Sequence, residues 1–288
     1  MSRLGPVRVG GSNPARIMGI INASPESFYK KSVHTERGDL ARVAKAMEED
    51  GADIIDVGGM STAPYLRTLV PETKEIERVT KAISAVRRAT NLPVSVDTCR
   101  AGVARAALEH GAEIINDVTG LQFDDGMQKV LGEYLPSVVV CAYSRSRVSG
   151  NHAAAARKLL RQSISIARKS GIPKDRIAVD PAIGFFRKKA EGIFSTRIRS
   201  DWLQRDVDIL RNLEEIKIGY PILVSVSRKS FIGKILGEED PDRRLAGSLA
   251  AETFAVLNGA DIIRTHNVRA TADVVKIAQK LQSPKKGL

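Results

Sequence analysis

The chain alternates between short apolar runs and longer segments in which apolar residues recur every three or four positions. The runs are rich in Ile and Val, and most of them end at or next to a polar residue. Such runs are typical of strands buried on both faces, and the segments between them have the spacing of amphipathic helices. The predicted strands lie at residues 16–22, 54–57, 94–97, 113–117, 137–141, 177–180, 222–224 and 261–264.

Helical spacing is clearest in the segments that follow these runs. Within residues 36–50, Leu40, Val43 and Met47 lie on one helical face, and Gly51 ends the segment. The same pattern predicts further helices that begin near residues 71, 103, 152, 201, 230, 241 and 270.

Eight strand–helix units therefore follow one another at a mean spacing of roughly 35 residues, with no linker between them. The dipeptide Gly-Ala also recurs just before strands, at residues 51–52, 111–112 and 259–260. We predict an α/β fold, a single (β/α)8 TIM barrel spanning residues 1–288, with a short N-terminal extension at 1–15 and a flexible tail at 283–288. A doubly wound open sheet is the alternative.

The composition of the chain bears on the cellular compartment in which we expect the protein. The 288 residues are 43% hydrophobic, yet no run approaches the ~18 apolar residues that a membrane span requires. The first residues lack an apolar signal core, and Cys99 and Cys141 are too few for a disulfide framework. We expect a cytoplasmic protein with reduced cysteines and no membrane partner.

The net charge of +12 permits two kinds of anionic partner, nucleic acid or small anionic substrates. Aromatic residues make up only 5% of the chain and do not alternate with the basic ones, which weakens a platform for stacking single-stranded nucleic acid. We therefore expect small-molecule substrates and no nucleic acid.

Polar side chains stand at or just after the ends of the predicted strands. In a TIM barrel these ends meet at one face, where active sites are found. The residues are Asn22, Asp56, Asp97, Asn116, Asp117, Asp180, Lys229, Arg264 and His266. Carboxylates accept paired N–H bonds from a guanine-like edge, and lysine donates to a ring oxygen or nitrogen. The set favours recognition of a flat polar heterocycle together with an anion.

The densest charge follows the seventh predicted strand. Residues 221–233 read PILVSVSRKSFIG, and the strand stops at Ser225, shortly before Arg228, Lys229 and Ser230. Two cations and two hydroxyls in one turn, just before a predicted helix, form a candidate site for an anion or a polar ring. A plain strand-to-helix loop with solvated charges is the alternative.

Several of these residues also have purely structural explanations. Asp56 precedes a Gly-Gly pair and either braces that turn or faces the site. Asp117 is expected to cap the following helix, with Asn116 in the inner position. His266 lies two residues beyond Arg264, on the same face of an extended segment, which favours the site and a buried structural role equally.

The sequence does not contain the motifs of three common kinds of catalytic or cofactor site. The chain has no Cys or His cluster with the spacing of a zinc site and no Gly-x-Ser-x-Gly elbow. Gly-x-Gly-x-x-Gly, the dinucleotide fingerprint, is also missing.

At these residues the sequence resembles dihydropteroate synthase over essentially its whole length. The matching stretches, in order, are IMGIINASPESF, GADIIDVGGMSTAP, VSVDTCRAGVARAALEHGAEIINDVTG, DPAIGF, SRKSFIG and IIRTHNV. The resemblance implies a (β/α)8 barrel, usually a homodimer, that joins an aminobenzoate to a dihydropterin methyl diphosphate and releases pyrophosphate in folate biosynthesis.

The resemblance also implies roles for the matching residues. The implied pterin-binding residues are Asp97, Asn116, Asp180, Phe185, Lys229 and Arg264. Those implied for the diphosphate are Asn22, Thr62, Arg264 and His266. Those implied for the arylamine are Ser24, Pro25, Phe28, Thr62, Arg228 and Ser230. The implied catalytic residues are Lys229, Asp97 and Asn22, and Asn22 is the implied ligand of Mg²⁺, the implied cofactor.

The chain departs from the family pattern mostly on the arylamine side. Met60, Ala63 and Tyr65 replace a Glu, an Arg and a Gly of the second loop, and Arg67 is a candidate substitute for the missing arginine. Ser225 stands where a glycine is usual. The stretch after Asp180 carries extra cations at residues 187–189.

These departures leave alternative functions open. The acceptor could be a larger anionic arylamine, such as ribofuranosylaminobenzene phosphate of methanopterin-type pathways. A methyltetrahydropterin:corrinoid methyltransferase uses a related barrel, and the loss of arginine at Ala63 leaves a non-catalytic pterin-binding module as a further alternative.

Overall fold

A computed structural model of the chain describes residues 1–26, 29, 32–63, 69–189 and 192–282. The strands are β1 (Arg3–Leu4), β2 (Val7–Arg8), β3 (Arg16–Asn22), β4 (Ile54–Gly58), β5 (Val94–Asp97), β6 (Ile114–Asp117), β7 (Ser137–Cys141), β8 (Ile177–Asp180), β9 (Phe186–Arg187), β10 (Thr196–Arg197), β11 (Leu223–Val224) and β12 (Ile262–Thr265).

Helices follow the strands of the central sheet. The α-helices are α1 (Arg37–Glu49), α2 (Glu72–Ala89), α3 (Ala101–Glu109), α4 (Met127–Tyr134), α5 (His152–Lys169), α6 (Trp202–Arg211), α7 (Leu213–Ile216), α8 (Ser230–Leu236), α9 (Leu245–Leu257) and α10 (Val268–Gln282). Short 3₁₀ helices span Lys174–Arg176 and Pro241–Arg244. None of the helices within the described residues is long and apolar enough to cross a membrane.

The central sheet has eight parallel strands in the order β11-β12-β3-β4-β5-β6-β7-β8. A parallel bridge between Val179 and Ile222 joins β8 to the residue before β11, and Val179 N donates to Pro221 O at 2.8 Å. The sheet therefore closes on itself with helices outside it, which confirms the predicted (β/α)8 barrel over the open sheet.

Side chains alternate along the strands and divide the barrel interior into two layers. Ile54, Ile114, Ala178 and Ile262 belong to one apolar cluster inside the barrel. Because successive side chains on a strand point to opposite faces, the residue two positions later also points inward. The inward positions after these four carry Asp56, Asn116, Asp180 and Arg264. An apolar layer therefore lies beneath a polar one at the carboxyl ends of the strands.

The N-terminal extension closes the opposite end of the barrel. β1 and β2 form an antiparallel hairpin, and Leu4 and Val9 belong to the same interior apolar cluster as the lower strand residues. Gly5 N donates to Ser137 Oγ at 2.9 Å, which ties the hairpin to the start of β7. The predicted tail at 283–288 lies outside the described residues.

The segments after β7 and β8 contain structure that the periodicity did not predict. β9 and β10 pair in parallel, with Arg187 opposite Arg197, and a bridge joins Val148 to Ile198. Helix α4 was also missed. Both elements are short, and a two-residue strand has no periodicity for a sequence to display.

Candidate active site at the carboxyl ends of the strands

A cleft with about 660 Å³ of empty space, part of it open to solvent, lies over the polar layer of the barrel. The predicted site residues that line it are Asn22, Thr62, Asp97, Phe185, Lys229, Ser230, Arg264 and His266. The other lining residues are Ile20, Met60, Ser61, Ala63, Gly184, Arg187, Ser225 and Ser227.

Arg264, near the end of β12, joins two buried carboxylates. Its Nε donates to Asp56 Oδ2 at 2.6 Å, and its Nη2 donates to Asp97 Oδ2 at 2.8 Å. Asn116 Nδ2 donates to the same Asp56 oxygen at 3.2 Å. Of the two explanations offered for Asp56, the structure thus favours a place in the site. Its charge fixes the orientation of both Arg264 and Asn116.

This cluster presents buried acceptors that the protein does not satisfy. Among the described residues, Asp97 Oδ1, Asn116 Oδ1 and Asp56 Oδ1 have no hydrogen-bond partner. A buried acceptor without a donor is costly, so such atoms point to a ligand that supplies N–H groups. Burial raises the pKa of Asp97 and the Arg264 guanidinium opposes that rise.

Lys229 and Asp180 form the opposite side of the polar layer. Lys229 Nζ donates to Ile183 O at 2.5 Å and lies 4.6 Å from the centroid of the Phe185 ring. Burial lowers the pKa of Lys229 to about 8, although the Asp180 charge acts in the opposite direction. Burial raises the pKa of Asp180, and Lys229 opposes that rise.

Gly184 makes room for the lysine. Its φ of +87° is in the left-handed region, and a Cβ built at this position would lie 2.8 Å from Lys229 Cδ. A larger residue would therefore be strained in its own backbone and would displace the lysine stem.

His266 is held as a neutral side chain at the edge of the cleft. Its Nδ1 lies 3.0 Å from Ser227 Oγ, and the Tyr29 ring meets it edge-on with the ring centroids 5.1 Å apart. Burial, followed by the charges of Arg264, Arg228 and Lys229, lowers the pKa of His266 to about 3. At neutral pH the imidazole is thus uncharged and can act as a hydrogen-bond donor or acceptor.

Some predicted residues lie outside the cleft. Arg228 has φ +56°, and its guanidinium donates to Pro241 O at 2.7 Å and to Asn267 Oδ1 at 3.1 Å. The same group lies 4.3 Å from the centroid of the Tyr29 ring. These contacts place Arg228 behind the site, beside the first loop. Phe28 and Arg67 lie outside the described residues.

Asp117 points away from the cleft, as the alternation along β6 requires. Its Oδ1 accepts from Thr119 N at 2.7 Å and from Thr119 Oγ1 at 2.6 Å. It therefore caps a turn directly after the strand. The expected helix cap was wrong, because helix α4 begins only at Met127.

The first two loops are connected by an ion pair that the sequence analysis did not detect. Arg78 Nη1 and Nη2 donate to the two carboxylate oxygens of Glu26, each at 3.0 Å, and Arg78 Nη1 also donates to Gly59 O at 3.1 Å. Ser24 Oγ donates to Glu26 at 2.7 Å, whereas Pro25 is exposed. Burial alone would raise the pKa of Glu26, but the hydrogen bonds from Arg78 and Ser24 lower it to about 2.

Comparison with known proteins places this geometry in a family. The sequence profile of the pterin binding enzyme family matches residues 18–266. A dihydropteroate synthase of Synechocystis sp. is 36% identical over 273 residues, which cover 92% of this chain and 89% of that protein.

Solved structures agree with the sequence relatives. A Coxiella burnetii dihydropteroate synthase in complex with pteroic acid has a TM-score of 0.81 at 36% identity, and 96% of each chain is covered. A Xanthomonas albilineans dihydropteroate synthase with 4-aminobenzoic acid has a TM-score of 0.81 at 33% identity, and 94% of each chain is covered.

Proposed function

This chain belongs to the pterin binding enzyme family, and on that premise we propose that it is the transferase that makes dihydropteroate in folate biosynthesis. The reaction joins 4-aminobenzoate to 6-hydroxymethyl-7,8-dihydropterin diphosphate. A C–N bond forms between the arylamine nitrogen and the methylene carbon of the pterin. The C–O bond to the diphosphate breaks, pyrophosphate leaves, and the amine loses a proton.

The observation that carries the proposal is the pair of unsatisfied acceptors at the carboxyl ends of β5 and β6. Asp97 Oδ1 and Asn116 Oδ1 are buried without a donor among the described residues. The amino and ring N–H groups of a pterin would supply donors to such oxygens, while Lys229 would donate to an acceptor on the ring. The relative from Coxiella burnetii holds pteroic acid, whose pterin moiety offers these groups.

The charges around the cleft suit the departure of a diphosphate. The arylamine is a neutral nucleophile, so loss of the leaving group is the demanding step. Arg264 and the neutral His266 line the cleft together, and fixed donors aimed at developing negative charge are an effective form of catalysis. The buried carboxylates of Asp97 and Asp180 would favour positive charge that develops on the pterin ring.

The arylamine is expected to bind at the cleft wall formed by the second loop and the start of α8. Thr62 and Ser230 both line the cleft there. The Glu26–Arg78 ion pair fastens the first loop to Gly59, where the second loop begins. Loops held together in this way would exclude water, which would otherwise capture the activated pterin.

We also propose that Asn22 is a ligand of Mg²⁺. Asn22 Nδ2 donates to Ser32 Oγ at 2.7 Å, so Oδ1 is the atom of this side chain that is available to a metal. In the described part of the chain no group of three or more His, Cys, Asp or Glu side chains is placed to hold an ion. The ion would therefore bind through Asn22 and the diphosphate oxygens of the substrate, an arrangement typical of magnesium.

A homodimer is the assembly that we propose. Phe254, Leu257, Ile277 and Leu281 are apolar side chains of α9 and α10 that are 42% to 72% exposed. Gln282 donates to the carbonyls of Val256 and Leu257, which brings the ends of the two helices together. Exposed apolar side chains on neighbouring helices are a candidate interaction surface. The buried free thiols of Cys99 and Cys141 suit the reducing cytoplasm.

The proposed function is tested by measuring pyrophosphate release from the dihydropterin diphosphate with 4-aminobenzoate, with and without a chelator of Mg²⁺. We expect turnover that requires the metal, and we expect Asp97→Asn to weaken pterin binding by about 1–3 kcal/mol. Asp117→Asn is the matched control, since this aspartate also ends a strand but faces away from the cleft. Pterin binding without turnover on any arylamine would reduce the protein to a binding module.

A further inference from the structure

His152, the first residue of α5, lies between a serine and a carboxylate at a place away from the cleft at the strand ends. Its Nδ1 is 2.7 Å from Asp208 Oδ2, and its Nε2 is 2.9 Å from Ser200 Oγ. Both distances are those of hydrogen bonds. A histidine that contacts a hydroxyl on one side and a carboxylate on the other has the geometry in which a serine is activated as a nucleophile.

The carboxylate of Asp208 determines which ring nitrogen of His152 carries the proton. Burial alone would raise the pKa of Asp208, but the hydrogen bonds from His152 and Gln204 lower it, so this group is ionised at neutral pH and can only accept. Nδ1 is therefore the donor, and in the neutral imidazole Nε2 is then an acceptor. The Ser200 hydroxyl donates to Nε2, which is the direction that a general base requires.

The backbone around these residues holds them together. A parallel bridge joins Val148 to Ile198, and Val148 N donates to Arg197 O at 2.8 Å. This bridge brings the residues just before α6 against the residues just before α5, so that Ser200 meets His152. Both side chains therefore stand at the beginning of a helix. The N–H groups of a first helical turn favour negative charge, such as that on the carbonyl oxygen of a substrate under attack.

A side pocket opens beside the serine and the histidine, and both of them line it. It contains about 260 Å³ of empty space, part of it open to solvent. Its apolar lining residues are Val148, Ala155, Ala156, Phe186 and Ile198. Ser200 is partly exposed, so a small reagent can reach its hydroxyl. The side pocket is much smaller than the cleft at the strand ends, and its lining suits a short apolar acyl chain.

We propose that Ser200, activated by His152 and Asp208, is a nucleophile that takes the acyl group from small esters, an activity separate from the synthesis of dihydropteroate. Ser200 Oγ attacks the carbonyl carbon, and its proton passes to His152 Nε2. The C–O bond to the alcohol then breaks, and the alcohol leaves with that proton. Water attacks the acyl-serine in the same way, which releases the carboxylic acid and restores the hydroxyl. The substrate class is an ester of a short apolar acid with a good leaving group, such as a phenol.

The test treats the full chain with 4-nitrophenyl acetate and, separately, with diisopropyl fluorophosphate. We expect the wild-type protein to hydrolyse the ester and to gain a single diisopropylphosphoryl group, which peptide mapping places on Ser200. Ser200→Ala should abolish both reactions. His152→Ala and Asp208→Asn should each slow them by about 100-fold or more, because the serine loses its base or the base loses its orientation.

Ser149→Ala is the matched control. Ser149 also lines the side pocket, but the two ring nitrogens of His152 are already bonded to Asp208 and Ser200. This variant should retain the hydrolysis and the labelling. Ser200→Ala should keep the wild-type rate of pyrophosphate release with 4-aminobenzoate, since Ser200 lies outside the cleft at the strand ends. Circular dichroism verifies that each variant is folded.

Three outcomes would overturn the proposal. The first is a wild-type protein that diisopropyl fluorophosphate does not label at Ser200, a result that needs no variant. The second is acetylation spread over lysines and other serines to the same extent in Ser200→Ala. The third is ester hydrolysis that Ser200→Ala retains and His152→Ala loses, because the imidazole would then act on the ester directly. None of these measurements involves the pterin substrate, so the proposed function is confirmed or refuted separately.

Discussion

Replacing Arg264 with glutamine should destabilise the protein strongly, in addition to any loss of activity. The guanidinium is the partner of Asp56, which is fully buried, and of Asp97, which is 5% exposed. Its removal leaves two carboxylates close together in the barrel without a cation. Breaking a buried ion pair by removing one partner costs about 3–5 kcal/mol, so we expect a decrease of that size in the free energy of unfolding.

The loss should depend on pH in a definite direction. Without Arg264, burial and the nearby Asp56 charge hold the pKa of Asp97 above that of the unfolded chain. The native variant then binds more protons than its unfolded state, so its stability falls as the pH rises. The difference in unfolding free energy between wild type and Arg264→Gln should therefore be larger at pH 8 than at pH 5.5.

Urea unfolding followed by circular dichroism at the two pH values measures both quantities. Arg197→Gln, an exposed arginine of the rim, should change the unfolding free energy by no more than about 0.5 kcal/mol. Adding Asp97→Asn to Arg264→Gln should recover part of the loss, because one of the unpaired charges is removed. A decrease below about 1 kcal/mol that is the same at both pH values would refute the reasoning.

The lowered pKa of Lys229, about 8, predicts that kcat/KM for the pterin substrate falls as the pH rises through that value, because the lysine loses its proton and with it its positive charge. Lys229→Arg stays protonated and should move this decline to higher pH; an unchanged profile would assign the decline to another group. Glu26→Gln weakens the ion pair with Arg78 and should lower kcat/KM about 10-fold in a steady-state assay. Glu77→Gln, on the helix that carries Arg78, should have no effect. Phe254→Glu should convert the dimer into monomers in sedimentation analysis, and a wild-type protein that sediments as a monomer would contradict the proposed assembly.

Much of the fold could be read from local patterns. The strand at Arg16–Asn22 and the helix at His152–Lys169 have the bounds that their hydrophobic periods predict. Alternation also placed Asn116 inward and Asp117 outward, because a strand has a period of two whatever its neighbours are. The seventh strand is regular only at Leu223–Val224, since strand pairing, which a sequence does not display, decides where a strand begins.

Local sequence patterns could not predict the contacts between distant parts of the chain. Glu26 and Arg78 are far apart in sequence, and neither residue carries a local signal that it has a partner. Arg187 appeared only as one cation in a basic stretch, and its contacts with Trp202 and Ser230 exist because β9, α6 and α8 converge. Arg228 lies next to Lys229 in the same motif, yet the turn directs it behind the cleft.

The sequence by itself determined the order of strands and helices, the polar residue at each strand end and the family to which the chain belongs. These properties depend on residue type and spacing, which are local. Only the tertiary structure decided which side chains satisfy one another and which acceptors remain for a substrate. Burial and distance set those choices, and both arise only when the barrel closes and brings the strand ends together.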